Sequence, residues 1–317
     1  MPVIPRKLPL VSAPEPSRNN NAMPPRAPDA SAAKAAGASS SRSLSAAPDG
    51  GGRRAAPPAP AALETANLNS AEIASEFLAA TLFVYICCGT ATGVAGTPGW
   101  VLHVALTFGL TITVLAYTIG HHSGGQINCA VTLGLVLAGL KEPRQAALNA
   151  AAQLCGSVFG AVLLSFTVRE SADLTGNLAS NSVSDDYDVG SAFLGETIMT
   201  FTLMYVILEC ACNDVSFGNV TLAPLAIGFA VFIAHAFLIP IDGCSINPTR
   251  SFGPAVVSWF QGRGGKQFED YHVFTLAPCL GAALAAAWYT AAKRIPTGVV
   301  PRPPKAEPAE SREWHNP

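Results

Sequence analysis

Two stretches, GQINCAVT at 125–132 and CSINPTRS at 244–251, each set an Asn in front of a short apolar run. Asn is a favoured helix N-cap, and its amide nitrogen still carries donors that can point elsewhere. A helix start also presents backbone N–H groups without intrahelical partners and roughly half a positive charge. Two such starts meeting head to head would accept an oxygen atom and repel a cation, which is recognition chemistry rather than bond making. Glu76 and Glu196 are the other polar pair in apolar surroundings. Buried acids of this kind face the bundle interior, here to hold the Asn loops by accepting backbone N–H groups. No nucleophile–base pair emerges, so an enzyme is not expected. Cys210 and Cys212 have no further Cys or His nearby to complete a tetrahedral metal set, and adjacent His121 and His122 point in different directions on a helix. No metal and no cofactor are expected.

The elements that must position these residues are read from hydropathy. Of 317 residues, 13% are charged and 50% hydrophobic, whereas a soluble fold carries about twice that charge. The net charge of −2, with no basic patch interleaved with aromatics, gives no reason to expect a nucleic-acid partner. Six runs, at about 71–93, 99–120, 144–168, 190–211, 220–240 and 271–293, are long enough to cross a bilayer at a rise of about 1.5 Å per residue. Two shorter runs, 128–139 and 247–258, span about half of one, and each opens with an Asn motif. The expected domain is 67–295. Residues 1–66, rich in Ala, Pro and Ser without a signal-like apolar run, and 296–317 are expected to be disordered. Arg42, Arg53, Arg54, Lys141, Arg144, Lys293 and Arg294 fall on one side and Asp173, Asp185, Asp186 and Asp188 on the other, which places both termini in the cytoplasm.

The halves repeat. EFLAATLF begins at Glu76 and ETIMTFTL at Glu196, and the following Asn lies 52 positions on in the first half and 51 in the second. With three spans per half, about 71–168 and 190–293, the second half enters the membrane inverted. Short segments at matching places in inverted halves mark a site at the bilayer midplane. Gly156 with Gly160, and Gly281 with Ala285, mark close helix crossings.

With GHHSGGQINCAVT, GCSINPTRSFGPAVV, AQLCGSVFGA and APCLGAALAAAWY in place, the chain resembles the aquaporins, the major intrinsic protein family, over about residues 71–293. The resemblance implies an all-α membrane fold of six helices and two re-entrant half-helices, a homotetramer with one pore per chain, and water as permeant. The family's Asn-Pro-Ala boxes correspond to Asn128-Cys129-Ala130 and Asn247-Pro248-Thr249. Its constriction corresponds to Phe108, His235, Cys244 and Arg250, a set found in water-selective members, with Ser251 after the Arg as in water channels. A broader facilitator of glycerol, hydrogen peroxide or ammonia is the alternative, favoured by Thr275 and the altered boxes. Cys129 gives up the fixed φ of proline and adds an N–H; it is expected to keep the half-helix and pack against Pro248. The Thr249 hydroxyl is expected to bond back to a carbonyl of its own turn.

Overall fold

The computed structural model describes residues 68–213 and 219–293; the segments expected to be disordered lie outside them. Among the described residues the secondary structure is helical, with no strand. Six helices are long and apolar enough to cross a membrane. They are α1 (Ser70–Val94), α2 (Trp100–Ser123), α4 (Pro143–Thr167), α5 (Val189–Ile207), α6 (Ala223–Asp242) and α8 (Val273–Ala292). Between them lie the short helices α3 (Cys129–Leu137) and α7 (Pro248–Phe260). The fourth run does not stay α-helical to its end, because residues Leu208–Cys212 form a π-turn.

The polarity is inside out. Glu76, Asn149, Gln153, Thr200 and His235 are buried, whereas Leu102, Leu106, Leu110 and Val114, spaced four apart on α2, face outward. A bundle solvated by hydrocarbon needs this arrangement, since apolar side chains cost nothing there and polar ones must find partners inside. Helices α1 and α4 pack together in one half, as α5 and α8 do in the other, and α2 joins α6 across the halves. Two glycines permit the tight crossings. A Cβ on Gly156 would collide with the carbonyl of Phe77, and one on Gly281 with that of Thr197. Phe77 follows Glu76 and Thr197 follows Glu196, so the two crossings are the same contact repeated.

The half-helices end by the same device. Helix α3 stops at Leu137, sooner than the hydropathy suggests, because Gly139 turns at φ 72° and Leu140 N bonds back to Leu135 O. Helix α7 runs further than expected, to Phe260, before Gly262 turns at φ 69° and Arg263 N returns to Ser258 O. Glycine reaches this left-handed region without a Cβ penalty.

Candidate functional site

Each half-helix is capped by its own Asn. Asn128 Oδ1 accepts from Ala130 N (2.9 Å) and Val131 N (3.4 Å). Asn247 Oδ1 accepts from Thr249 N (2.9 Å) and Arg250 N (3.3 Å). Each amide nitrogen then reaches into the opposite half: Asn128 Nδ2 donates to Ile246 O (2.9 Å) and Asn247 Nδ2 to Ile127 O (3.0 Å). A side-chain amide carries two N–H groups, so one on each Asn is left for the cavity that both line. That cavity, of about 700 Å³, extends from His121 and Lys141 past the two Asn residues to His235.

The loops before the caps are backbone-strained. Ile127 and Ile246 have φ of 53° and 46°, a region costly for β-branched residues. Buried carboxylates hold them there. Glu76 accepts from Gln126 N (2.9 Å), Ile127 N (2.7 Å), Ser123 Oγ (2.6 Å) and Gln153 Nε2 (2.7 Å). Glu196 accepts from Ser245 N (2.6 Å) and Ile246 N (2.5 Å).

Phe108 from α2, His235 from α6 and Arg250 from α7 come together beyond the Asn centre. The Phe108 and His235 rings stack with centroids 4.0 Å apart, and the Arg250 guanidinium carbon lies 5.3 Å from the Phe108 centroid. Cys244, also fully buried, sits on the loop leading into α7. His235 Nδ1 lies 2.9 Å from Val231 O. A carbonyl only accepts, so Nδ1 carries the hydrogen, and in the neutral ring Nε2 is an acceptor. Arg250 Nη1 donates to Ala179 O (2.7 Å). His235 Nε2 and Arg250 Nε are both buried without a protein partner.

The two altered box positions touch one another. Thr249 Oγ1 donates to Cys129 Sγ (3.0 Å) and accepts from Cys129 N (3.1 Å). The Thr249 hydroxyl therefore bonds across the half-helix junction rather than to its own turn, because the cysteine N–H that proline would lack is aimed at it. The Cys129 thiol lies against Thr249 and Ala150 O (3.7 Å). Ser157 Oγ also donates to Thr249 O.

Sequence reasoning passed over Ser123, Gln153, Ala179 and Asp242. Gln153 is a polar residue inside a span, and Asp242 is an acid five residues before Asn247; both were visible signals. Ala179 acts through its backbone carbonyl and left no trace in side-chain type.

This arrangement of six helices, two opposed half-helices and a cavity between them defines a transmembrane channel. The family model for "Major intrinsic protein" matches residues 63–289, and the chain belongs to that family. It is thus a multi-pass membrane channel and not an enzyme. It is 38% identical over 227 residues to "Probable aquaporin PIP2-8" of Arabidopsis thaliana, covering 68% of this chain and 79% of that one. To "Aquaporin-2" of Rattus norvegicus it is 37% identical over 221 residues, covering 69% and 78%. "Aquaporin Z" of Rhodopseudomonas palustris is 34% identical over 242 residues, covering 74% and 98%. The solved aquaglyceroporin from Plasmodium falciparum has the same fold, with a TM-score of 0.63 at 21% identity over 69% of this chain and 95% of that one.

Proposed function

We propose that the chain is a water-selective channel, with residues 67–295 as the channel domain. The observation that carries this reading is the pair of unpartnered buried atoms at the constriction, His235 Nε2 as acceptor and Arg250 Nε as donor, beside two stacked aromatic rings. A permeant there must be narrow and must both donate and accept, as water does. The aromatic rings take up the cross-section that a carbon chain would need. Arg250 and the two half-helix ends supply positive potential against protons and metal cations. By the positive-inside rule the face bearing Lys141 and Arg144 is cytoplasmic, as are both termini. Likeness to the family further supports a homotetramer, which the mass of the detergent-solubilised particle tests.

Proteoliposomes in a stopped-flow instrument test selectivity. The wild type is expected to shrink quickly under an impermeant osmolyte and to show no glycerol re-swelling. Phe108→Ala with His235→Gly is expected to admit glycerol while retaining water flux. Glycerol flux through the wild type would overturn water selectivity, and glycerol exclusion by a water-conducting double variant would overturn the assigned ring.

A further inference from the structure

Matching the Asn boxes pairs Ser123 with Asp242, Gly125 with Cys244 and Ile127 with Ile246. Ser123 Oγ plays two parts in its half: it accepts from Gly125 N (3.1 Å) and donates to Glu76 Oε1 (2.6 Å). Asp242 takes the first part, since its Oδ1 accepts from Cys244 N (2.9 Å). The second part requires a hydrogen, which an ionised carboxylate lacks. Asp242 is 1% exposed, and its Oδ2 is buried without a partner.

Glu196 is short of donors on the same side. Glu76 receives two side-chain donors besides its two amides, from Ser123 and Gln153. Gln153 lies three residues before Gly156, and the residue three before Gly281 is Pro278, which has no side-chain donor. Asp242 is what remains in the place of Ser123. The amides of Cys244, Ser245 and Ile246 are consecutive and are received by Asp242, Glu196 and Glu196 in turn, so the two acids are neighbours.

The charge balance points the same way. Among the described residues, the charged or titratable groups that interact with the pair are Arg250 from α7 and the Cys244 thiol. Arg250 is one cation against two acids. Ionising both would leave an uncompensated negative charge in a buried site, and adjacent carboxylates resist joint ionisation.

We propose that Asp242 is held as a neutral acid whose Oδ2–H donates to Glu196, so that one proton links the pair as the Ser123 hydroxyl links the first half. No covalent bond to carbon changes, and the proton stays within the pair. The link is a positioning device. Cys244 is held at φ 52° where the first half has Gly125 at φ 65°, and this strained loop leads directly into the half-helix that carries Arg250.

The permeability arm of the test rests on the water-channel reading, whereas the infrared arm does not depend on what permeates. In the purified full chain, infrared spectra should show the carbonyl stretch of a protonated carboxyl, shifted in heavy water and lost in Asp242→Asn. The Asn amide can accept from Cys244 N and donate to Glu196, and Asp242→Ser copies the first half. Both variants should keep water permeability per folded channel within about twofold of wild type, whereas Asp242→Ala should lose on the order of threefold or more. Lack of the carboxyl band in the wild type, or its survival in Asp242→Asn, would overturn the shared proton. Equal loss in Asp242→Asn and Asp242→Ala would overturn the positioning role, and so would no loss in either. If wild-type liposomes conduct no water, the water-channel reading fails while the infrared result still decides the proton.

Discussion

The two halves of the chain solve one problem with different chemistry. Each must hold a strained loop so that an Asn caps a half-helix at the centre, and each does so with a buried Glu. In the first half, Glu76 is surrounded by four neutral donors, two of them side chains. In the second, Glu196 has two amides, an acid in place of the serine and a proline in place of the glutamine. The backbone geometry is nonetheless kept, with paired φ values of 53° and 46° at the two Ile residues. The repeat thus preserves conformation and crossing geometry more closely than it preserves the identity of the supporting groups.

The largest expected effect separates the two Glu residues. Glu76→Leu strands four donors, and a buried polar cluster that loses its acceptor costs roughly 3–5 kcal/mol; Glu196→Leu strands two amides and the Asp242 hydroxyl, one donor fewer, and should cost less. Thermal stability of the detergent-solubilised protein reads the order, and a reversed order would break the comparison. Next, Gly156→Ala and Gly281→Ala should each cost roughly 2–3 kcal/mol by overpacking against a backbone carbonyl. Their melting shifts should be similar, because the obstructing carbonyls of Phe77 and Thr197 are equivalent; very different shifts would show that the two crossings are not.

A smaller effect belongs to the junction between the halves. Cys129→Pro removes the N–H that Thr249 Oγ1 accepts and should cost about 1–2 kcal/mol. Adding Thr249→Ala should recover most of that, since both members of the polar pair are then gone. A double-mutant cycle with strictly additive costs would deny the coupling.

The smallest effect lies at the helix starts. Backbone N–H groups of Arg144 and Gln145 hold Glu142 below the usual carboxylate range, and the Ser191 hydroxyl and amide do the same for Asp188. A depressed folded-state value contributes stability that is complete above the unfolded pKa and is lost as pH falls through the folded one. Melting temperatures measured from about pH 6 down to about pH 3 should therefore fall less steeply in Glu142→Gln with Asp188→Asn than in the wild type. An unchanged slope would assign the acid sensitivity to other groups.

The long spans were legible because hydrocarbon demands long apolar runs, and the half-helices because their runs are too short to cross. The two Asn caps and the Glu residues stood out as polar groups in apolar surroundings. Span ends were less legible, since α3 and α7 stop where Gly139 and Gly262 turn rather than where hydropathy falls. At the centre, side-chain chemistry foretold that Thr249 would use its hydroxyl but not with whom. Its partner is 120 positions away in sequence, and only the docking of the halves brings Cys129 to it. Ala179 was illegible for a similar reason, because any residue has a carbonyl and only the loop conformation aims this one at Arg250.

The crossed bonds of Asn128 and Asn247 bear on how the chain is made. Each Asn donates to a carbonyl of the opposite half, 118 and 120 positions away. During synthesis the first half is therefore complete as a set of spans while Ile127 O and Asn128 Nδ2 still await partners that have not been translated. Closing a loop of that length carries an entropic cost that local contacts do not share. The conducting centre is consequently among the last parts to form, and a chain cut short after α4 would lack it altogether.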